Sequence, residues 1–355
     1  MKKEDLVKYF FNKGSLLSPD LLEYMSSFSD NEINSIVERK IDDIVITKSH
    51  VVDIKRYDVI KSLYEKTPPN QLNYLNSKFL GLMNIITGRI DKKFISINKI
   101  LPSREDIYIV GMVKDIKEGE KTLVEIEDQT GSVVVSFDEP IKCDLDDVVV
   151  VQAIPSGKII YGKKIIYPDV PLREPVKGSG RGCFISDLHL NEAPDEDINK
   201  FFQWLMQENI NYLFVAGDVV DIERLEKFCG NNLVFLIPGE HDTKNDYPQT
   251  PLKTTKDNII SLSNPSMVNV GGINILMIHN FDLSMIKKRH LGDADIGEDY
   301  LVLDSIPDIV HCGHDHKPFV SNYKSITVVN SGSLLTEFKP VVVDFSSRDW
   351  KQVTL

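Results

Sequence analysis

The sequence of 355 residues contains no long apolar run and few cysteines. A membrane-spanning helix needs roughly 20 consecutive apolar residues, and no stretch approaches that length, so we expect no transmembrane helix. The N-terminal sequence MKKEDLVKYFFNKG has no apolar core followed by a small-residue cleavage site, so we expect no signal peptide. The four cysteines form no CxxC pair, which predicts isolated buried thiols in a reducing compartment.

Positive charge is also scarce. The formal net charge is −12, and residues 181–355 alone carry 15 lysines and arginines against 25 aspartates and glutamates, a net charge of −10. Because Lys and Arg supply most of the affinity for DNA phosphates, such an acidic region does not hold DNA by charge alone. We therefore expect it to bind metal, to rely on a basic partner, or not to contact nucleic acid.

The beginning of the chain is predicted to be helical. Residues 1–65 are assigned to a small helical N-terminal region, because Ser18 and Ser29 stand as N-caps before LLEYM and NEINSIVERK. Residues 66–71 (KTPPNQ) form a predicted linker, and the amphipathic segment 72–89 is a further helix. We expect the N-terminal region to be flexibly tethered, so that deleting residues 1–65 leaves the chemistry of the protein intact.

Short strands follow this helix. Between residues 107 and 167, five or six apolar segments of strand length are separated by turn sequences. They predict a small closed barrel, and residues 72–170 are assigned to a helix plus an OB-fold domain that binds nucleic acid or a partner. The sequence EDQTG at 127–131 leads into a strand much as in nucleic-acid-binding OB folds, although a plain β-turn is an alternative explanation.

The pattern changes again after a second predicted linker at 171–182. Residues 181–355 contain six apolar runs of strand length, and helical segments such as DINKFFQWLMQENI lie between some of them. This alternation predicts an α/β layered domain. The fold class is therefore multidomain α+β: a helical N-terminal region, an OB-fold β-barrel and an α/β layered domain.

Carboxylates and histidines follow five strands of this last domain. Ligand sites in α/β sheets form at the carboxyl ends of strands, so these side chains are expected at one edge. A single histidine at a strand end is usually structural, but five of the eight histidines occupy such positions together with carboxylates. The side chains concerned are Asp187, His189, Asp218, Glu240, His241, Asp242, His279, His314 and His316.

This donor set predicts a pair of metal ions. Nitrogen and oxygen donors without a thiolate favour Mn²⁺, Fe²⁺ or Zn²⁺ over Ca²⁺, and we place Mn²⁺ first. Seven of these nine side chains, all except His241 and Asp242, are candidate donors; they are too many for one tetrahedral ion but suit two ions roughly 3.5–4 Å apart that share a carboxylate. Such a pair lowers the pKa of a bridging water and clamps a phosphoryl oxygen, so the predicted reaction is hydrolysis of a phosphate ester.

The motifs DLH, GDVVD, PGEHD, IHN and GHDH, in that order, resemble the calcineurin-like metallophosphoesterase signature DxH, GDxxD, GNHD, H and GHxH. The resemblance implies two metal sites joined by a bridging aspartate. One metal would be held by Asp187, His189 and His316, the other by Glu240, His279 and His314, with Asp218 between them.

The same resemblance implies two catalytic residues. His241 would face the scissile phosphate and stabilise its charge or protonate the leaving oxygen, and Asp242 would orient His241. The sequence departs from the signature at two positions: Glu240 stands where the superfamily has asparagine, and Asn280 stands where glycine usually follows the histidine. Glu240 either adds a charge to the second metal site or turns away from it.

A narrower resemblance covers most of the chain. KKRHL, EDYLVLDSIPDIVHCGHDH and VVNSGSLLTEF, together with YLNSKFLGLMNIITGR before the barrel, are similar to the small subunits of archaeal D-family DNA polymerases. That family implies a metal-dependent 3′–5′ exodeoxyribonuclease that proofreads DNA at a single-stranded or frayed 3′ end. It also implies a large polymerising subunit as partner, no membrane, and a cytoplasmic, nucleoid-associated location.

Two alternatives remain open from the sequence. The chain could be a non-catalytic scaffold subunit, as in related eukaryotic polymerases that have lost the metal ligands, or a free-standing metallophosphodiesterase. The retained histidines and aspartates argue against the scaffold. The residues before the last domain argue against the free enzyme, which would have no evident use for them.

Overall fold

The computed structural model describes residues 3–19, 21–22, 45–46, 57–62, 68–157, 159–208, 210–230, 232–243 and 247–355. The predicted helix NEINSIVERK and most of LLEYM lie outside these residues. None of the described helices is long and apolar enough to cross a membrane. The four cysteines form no disulfide; three are buried and Cys143 is half-buried.

The elements of the described residues are numbered in chain order. The helices are α1 Lys3–Asn12, α2 Gln71–Arg89, α3 Asp195–Gln207, α4 Ile222–Phe228 and α5 Leu283–Lys288, with a 3₁₀ turn at Ile97–Lys99. The strands are β1 Leu16–Leu17, β2 Val45–Ile46, β3 Tyr57–Ser62, β4 Ile107–Lys117, β5 Thr122–Asp128, β6 Gly131–Phe137, β7 Val148–Ser156, β8 Ile159–Ile166, β9 Arg181–Ile185, β10 Tyr212–Ala216, β11 Leu233–Ile237, β12 Ile259–Ser261, β13 Ser266–Val270, β14 Ile273–Met277, β15 Ile309–Cys312, β16 Phe319–Tyr323, β17 Ile326–Asn330, β18 Val341–Asp344 and β19 Trp350–Gln352.

Strands β4 to β8 form a closed five-stranded barrel in the order β4-β5-β6-β8-β7. The two last predicted runs, KIIYG and KKIIYP, are one strand, β8. The predicted helix is α2, which begins at the N-cap Asn70 and packs Phe79, Leu82 and Ile86 against the outside of the barrel. The barrel core is apolar because alternate residues of each strand point inward.

The EDQTG sequence has a local structural role. Asp128 Oδ1 accepts hydrogen bonds from the backbone N–H groups of Thr130 (2.7 Å) and Gly131 (3.1 Å), and Asp128 Oδ2 accepts one from Ile97 N–H (2.9 Å). This is an Asx-type turn that also fixes the 3₁₀ turn before the barrel. The plain-turn explanation therefore accounts for the conformation of this motif.

The region after residue 180 forms two sheets packed face to face, each of six strands when β3 is counted in the second. Their orders are β12-β11-β10-β9-β18-β19 and β16-β17-β15-β14-β13-β3. Phe184, Phe214 and Phe235, on neighbouring strands of the first sheet, stack with ring centroids 4.7 and 5.1 Å apart and fill the space between the sheets. Helices α3 and α4 cover the outer face of the first sheet, and α5 packs on the second, which gives the predicted layered arrangement.

The stretch predicted as a second linker is fixed to this domain. Arg173 forms an ion pair with the buried Asp308 at 2.7 Å. The backbone N–H groups of Gly178 and Ser179 donate to the carbonyls of Phe345 and Gly271, both at 2.7 Å. The chain between the barrel and the sheets therefore runs along the sheets rather than as a free spacer.

The prediction that residues 1–65 form a separate helical region is wrong for residues 57–62. These residues are strand β3, which pairs antiparallel with β13 at the edge of the second sheet. Tyr57 also packs edge-to-face on Phe235, with ring centroids 5.1 Å apart. An edge strand satisfies backbone groups that β13 would otherwise expose, which is the physical reason for a strand here.

A buried histidine makes the stability of this core depend on pH. His311 on β15 is fully buried between the sheets, with its ring edge-to-face on Phe184 at 5.2 Å. Burial lowers the pKa of His311 to about 3. The unfolded chain binds a proton near pH 6.5 that the folded chain excludes, so the free energy of unfolding falls as pH drops below about 6.5, by up to about 1.4 kcal/mol per pH unit.

We therefore expect His311→Leu to flatten the acid side of the stability profile. Urea unfolding of the wild type and of the variant between pH 7.5 and 5 measures the two slopes. The wild type should lose stability more steeply below pH 6.5, whereas parallel profiles would show that His311 does not exclude its proton.

Candidate metal centre

The carboxyl ends of the central strands from both sheets meet at one edge. In the first sheet β9, β10 and β11 are parallel neighbours, and Asp187 and Asp218 each follow their strand by two residues, Glu240 by three. In the second sheet β14 and β15 are parallel, and His279 and His314 each follow their strand by two residues. The paired registers place these side chains level with one another.

The first group of donors consists of Asp187, His189, Asp218 and His316, whose ligand atoms all lie within 4.8 Å of one another. His189 Nε2 lies 3.2 Å from His316 Nε2, and His316 Nε2 lies 3.4 Å from Asp187 Oδ1. Two imidazole nitrogens and a carboxylate that face one another so closely can all bind one cation placed between them. The residues present therefore fit a metal ion.

The second group surrounds the buried His279. Its Nδ1 lies 2.7 Å from the carbonyl of Ala216, to which it donates, so Nε2 is directed to the site. Nε2 is buried, has no hydrogen-bond partner among the described residues, and lies 3.3 Å from Asp218 Oδ2. An unpartnered imidazole nitrogen beside a carboxylate is the arrangement that a metal ion completes.

Glu240 and His314 complete this second group. Glu240 Oε1 lies 3.2 Å from His314 Nδ1 and 3.8 Å from His241 Nε2. The carboxylate of Glu240 is half exposed, yet it is directed toward the site, which disfavours the alternative in which it turns away. The ligand atoms of Asp218, Glu240 and His241 also lie within 4.8 Å of one another.

The pKa values of Asp187 and Asp218 are shifted in opposite directions by burial and by neighbouring charges. Burial raises the pKa of Asp187 above its ordinary value. Burial would also raise the pKa of Asp218, but the positive charge of the adjacent His279 outweighs it, so that pKa lies below its usual range. Asp218 is therefore the more firmly ionised carboxylate, as a group shared by two cations has to be.

The histidines respond to the same surroundings. Burial lowers the pKa of His189, which favours the neutral form in which imidazole binds metals. For His279 burial acts in the same direction, but the negative charge of the adjacent Asp218 prevails and raises its pKa to about 9. The position of His279 Nε2 thus favours a positive charge, either a proton or a metal ion.

His241 lies at the mouth of the site with its side chain 59% exposed. Its Nε2 is 3.8 Å from Asp218 Oδ2, and its backbone N–H donates to Asp218 Oδ1 at 2.9 Å. The ring is therefore close to both groups and open to a substrate from outside.

The predicted role of Asp242 as the residue that orients the His241 ring is wrong. Asp242 Oδ1 accepts from the backbone N–H of Val220 at 2.6 Å, and Oδ2 accepts from that of Gly239 at 2.8 Å. Both oxygens are thus taken by backbone groups, because the loops after β10 and β11 need buried acceptors. Asp242 joins these two loops and positions His241 only through the backbone.

The backbone is strained at the predicted ligands. Residues other than glycine rarely adopt positive φ, at a cost of roughly 1–2 kcal/mol each, and such strain concentrates at functional sites. Five predicted ligands have φ between 42° and 71°: Asp187, His189, Asp218, His314 and His316.

Three glycines that the sequence interpretation did not use allow the loops to approach the ligands. A Cβ atom at Gly217 would lie 2.4 Å from His279 Nδ1, one at Gly239 would lie 2.2 Å from Asp218 Oδ1, and one at Gly313 would lie 2.5 Å from Asp187 Oδ2. Each glycine belongs to one of the quoted motifs, directly before or close to an acidic or histidine residue. A glycine beside a predicted ligand is therefore the sequence feature from which these three positions could have been identified.

A buried amide pair was also missed. Asn264 Nδ2 donates to Gln249 Oε1 (2.6 Å), and Gln249 Nε2 donates to the carbonyl of Gly239 (2.8 Å). Asn264 Oδ1 accepts from the backbone N–H of His279 at 3.1 Å. The pair therefore connects the loop after β11 with the second sheet, and no motif in the sequence marks it.

The fold and these donors define a class of protein. Residues 181–345 match the family model described as the calcineurin-like phosphoesterase superfamily domain. This part of the chain therefore carries a calcineurin-like phosphoesterase domain, as its motifs predicted. A solved structure described as a novel archaeal phosphodiesterase aligns with 49% of this chain and 99% of its own at 14% identity and a TM-score of 0.34, a likeness too low to support any inference.

Relatives that match most of the chain identify a narrower group of proteins within this class. The DNA polymerase II small subunit of Methanothermobacter thermautotrophicus is 27% identical over 77% of this chain and 74% of its own length. The protein of the same name from Archaeoglobus fulgidus is 26% identical over 86% of this chain and 78% of its own. The chain is thus a homologue of archaeal DNA polymerase II small subunits, and the narrower resemblance is confirmed.

Proposed function

We propose that this chain is a metal-dependent 3′–5′ exodeoxyribonuclease that proofreads as the small subunit of a two-subunit DNA polymerase. The observation that carries the hydrolytic part is the convergence of Asp187, His189, Asp218 and His316 within 4.8 Å. The name shared by the relatives, DNA polymerase II small subunit, supports the polymerase part and a large polymerising subunit as partner.

The residues would divide the chemistry among them. Two divalent ions, with Mn²⁺ preferred over Fe²⁺ or Zn²⁺ for these donors, would supply an activated water and hold a phosphoryl oxygen. Asp218 contacts both donor groups and is the bridge between the two sites. His241, exposed beside it, contacts the scissile phosphate and gives a proton to the leaving 3′ oxygen.

The presence of the barrel supports the proposal that this chain contacts DNA or the partner subunit. We assign it to the OB fold, because its strands, numbered within the barrel, follow the order 1-2-3-5-4. Residues 72–170 would be this domain and residues 181–355 the phosphoesterase domain, to which β3 adds residues 57–62. Since the chain carries a net charge of −12, the large subunit would supply most of the grip on a single-stranded or frayed 3′ end.

The test is hydrolysis of a 3′-labelled single strand by the chain alone and in complex with the large subunit. A proofreading subunit releases mononucleotides from the 3′ end and works best in the complex. A scaffold is inert in both states, and a free-standing phosphodiesterase gains nothing from the partner.

Substitution of Glu240 is a second test, which asks whether this carboxylate is a metal ligand. A carboxylate in place of the superfamily's neutral amide adds one negative charge, so the second ion should bind more tightly and polarise the phosphate less. We expect Glu240→Asn to weaken metal retention, to raise turnover at saturating metal and to move the pH optimum downward.

Metal titration and a pH profile of hydrolysis measure these three effects. Glu337→Gln, on an exposed loop residue, is the control for loss of one charge. Tighter metal binding in Glu240→Asn would show that Glu240 is not a ligand.

A further inference from the structure

A cavity of about 360 Å³ opens beside the second donor group. Glu240 and His279 line it on the side of the metal centre, and Tyr247, Met285 and Asp293 line it elsewhere. Asp293 also lines a neighbouring cavity of about 300 Å³ that contains none of the predicted ligands. Asp293 therefore stands on the side of the first cavity that is away from the metal centre.

The size and the wall of the cavity fit one nucleoside. Its volume lies near the lower end of the roughly 300–1,000 Å³ typical of small-molecule sites, so it has room for one unit of a strand rather than several. Tyr247 donates its hydroxyl to the carbonyl of Leu291, which fixes the ring in the wall. An aromatic ring and a thioether such as Met285 offer apolar surface against which a base can pack.

The polar groups of the cavity are not all available to a ligand. The amides of Gln249 and Asn264 are already bonded to each other, to Gly239 and to His279. Their donors and acceptors hold the loops of the centre together. Recognition therefore falls to other polar side chains of the wall, of which Asp293 is the carboxylate outside the two donor groups.

Asp293 is held in place by helix α2. Its Oδ1 accepts from Lys78 Nζ at 2.8 Å and from the Tyr74 hydroxyl at 3.1 Å. Oδ2 accepts no hydrogen bond from the described residues, and the side chain is 73% exposed. A fixed carboxylate with one open oxygen suits a hydroxyl donor and repels a second anion.

We propose that this cavity binds the terminal nucleoside of a DNA strand and that Asp293 accepts a hydrogen bond from its free 3′-hydroxyl. The proposal rests on the proposed exonuclease function. It specifies which end of the substrate is recognised, namely a strand that terminates in a 3′-hydroxyl. A 3′-phosphate in the same place meets the carboxylate of Glu240 and that of Asp293, whose charge Lys78 offsets in part. In the reaction, a water oxygen bonds to phosphorus, the bond from phosphorus to the penultimate 3′ oxygen breaks, that oxygen takes a proton, and the terminal nucleoside leaves as its 5′-monophosphate.

Binding tests the cavity without relying on turnover. The probe is an oligothymidylate with 2-aminopurine at its 3′ end and a phosphorothioate as the last linkage, in two forms that finish in a 3′-hydroxyl or a 3′-phosphate. Its fluorescence on titration with the full chain and Mn²⁺ gives two dissociation constants for each protein. The ratio of the two constants does not depend on the fraction of protein that is folded.

The wild type should bind the hydroxyl form more tightly than the phosphate form by about tenfold or more, since hydrogen bonds to charged groups contribute on that scale. Asp293→Asn should reduce this ratio by about tenfold. The matched control is Asp295→Asn, an exposed residue two positions along that does not line the cavity, and its ratio should equal that of the wild type. Equal binding of both forms by the wild type, or equal ratios in the two variants, would overturn the proposal.

Hydrolysis of bis(p-nitrophenyl) phosphate separates this proposal from the function on which it rests. That small diester has no 3′-hydroxyl, so its hydrolysis by the wild type reports the metal centre without the contact to Asp293. A wild type that cleaves neither the diester nor DNA contradicts the exonuclease function, and the fluorescence ratio still decides the cavity.

Discussion

Replacing Asp218 with asparagine is expected to lower phosphodiester hydrolysis by at least about a hundredfold, more than the loss of a residue that only supports a ligand. Asp218 Oδ2 lies 3.3 Å from His279 Nε2, and the same carboxylate belongs to both donor groups. Asparagine removes the negative charge that two cations would share. Single-turnover hydrolysis of a short single strand, together with metal content by mass spectrometry, measures both consequences.

Asp315→Asn is the matched control for this result. Asp315 lies between His314 and His316 in the sequence, but it is exposed and belongs to neither donor group. Its variant should keep near-normal activity and metal content. Near-normal activity in Asp218→Asn as well would remove Asp218 from the role of bridge.

We expect deletion of residues 1–65 to destabilise the protein and to promote its self-association, because residues 57–62 are part of the second sheet rather than of a separate region. The deletion removes β3, and with it the pairing to β13 and the contact of Tyr57 with Phe235. It also removes the hydrogen bond from Lys61 Nζ to the carbonyl of Val302 at 3.1 Å. Loss of several such bonds and one aromatic pair costs on the order of 3 kcal/mol.

The comparison that isolates β3 is deletion of residues 1–56, which removes α1, β1 and β2 but keeps Tyr57–Ser62. Thermal unfolding and light scattering should show a lower melting temperature and larger species only for the longer deletion, because an uncovered edge strand pairs with other chains. Equal melting temperatures and monomeric behaviour for both deletions would mean that β3 contributes nothing to the sheet.

The location of the metal donors could be predicted because their signal is local. Each of Asp187, Asp218 and His279 comes two residues after an apolar strand, and short apolar runs followed by a polar residue are visible without a structure. The barrel was predictable for the same reason, since its strands are consecutive and separated by short turns. In both cases the residues that define the feature are neighbours in the sequence.

Features that depend on distant residues could not be predicted in this way. Asp242 follows His241 directly, and adjacency alone indicated a contact between their side chains. The folded loops instead turn both oxygens of Asp242 toward backbone N–H groups that would otherwise be buried without partners. The Gln249–Asn264 pair could not be predicted because its role is to hydrogen-bond to Gly239 and His279, which are near it in the folded chain but not in the sequence.

The sequence by itself determined the type of chemistry, because the kinds of donor atom and their order after successive strands are properties of the chain. The tertiary structure alone decided that residues 57–62 belong to the second sheet, that the predicted linker is fixed to it, and that a cavity reaches from His279 to Asp293. The physical reason is the range of the interactions. Strand periodicity acts over a few residues, whereas the pairing of β3 with β13 joins segments about 200 residues apart, and only packing of the whole chain selects that partner.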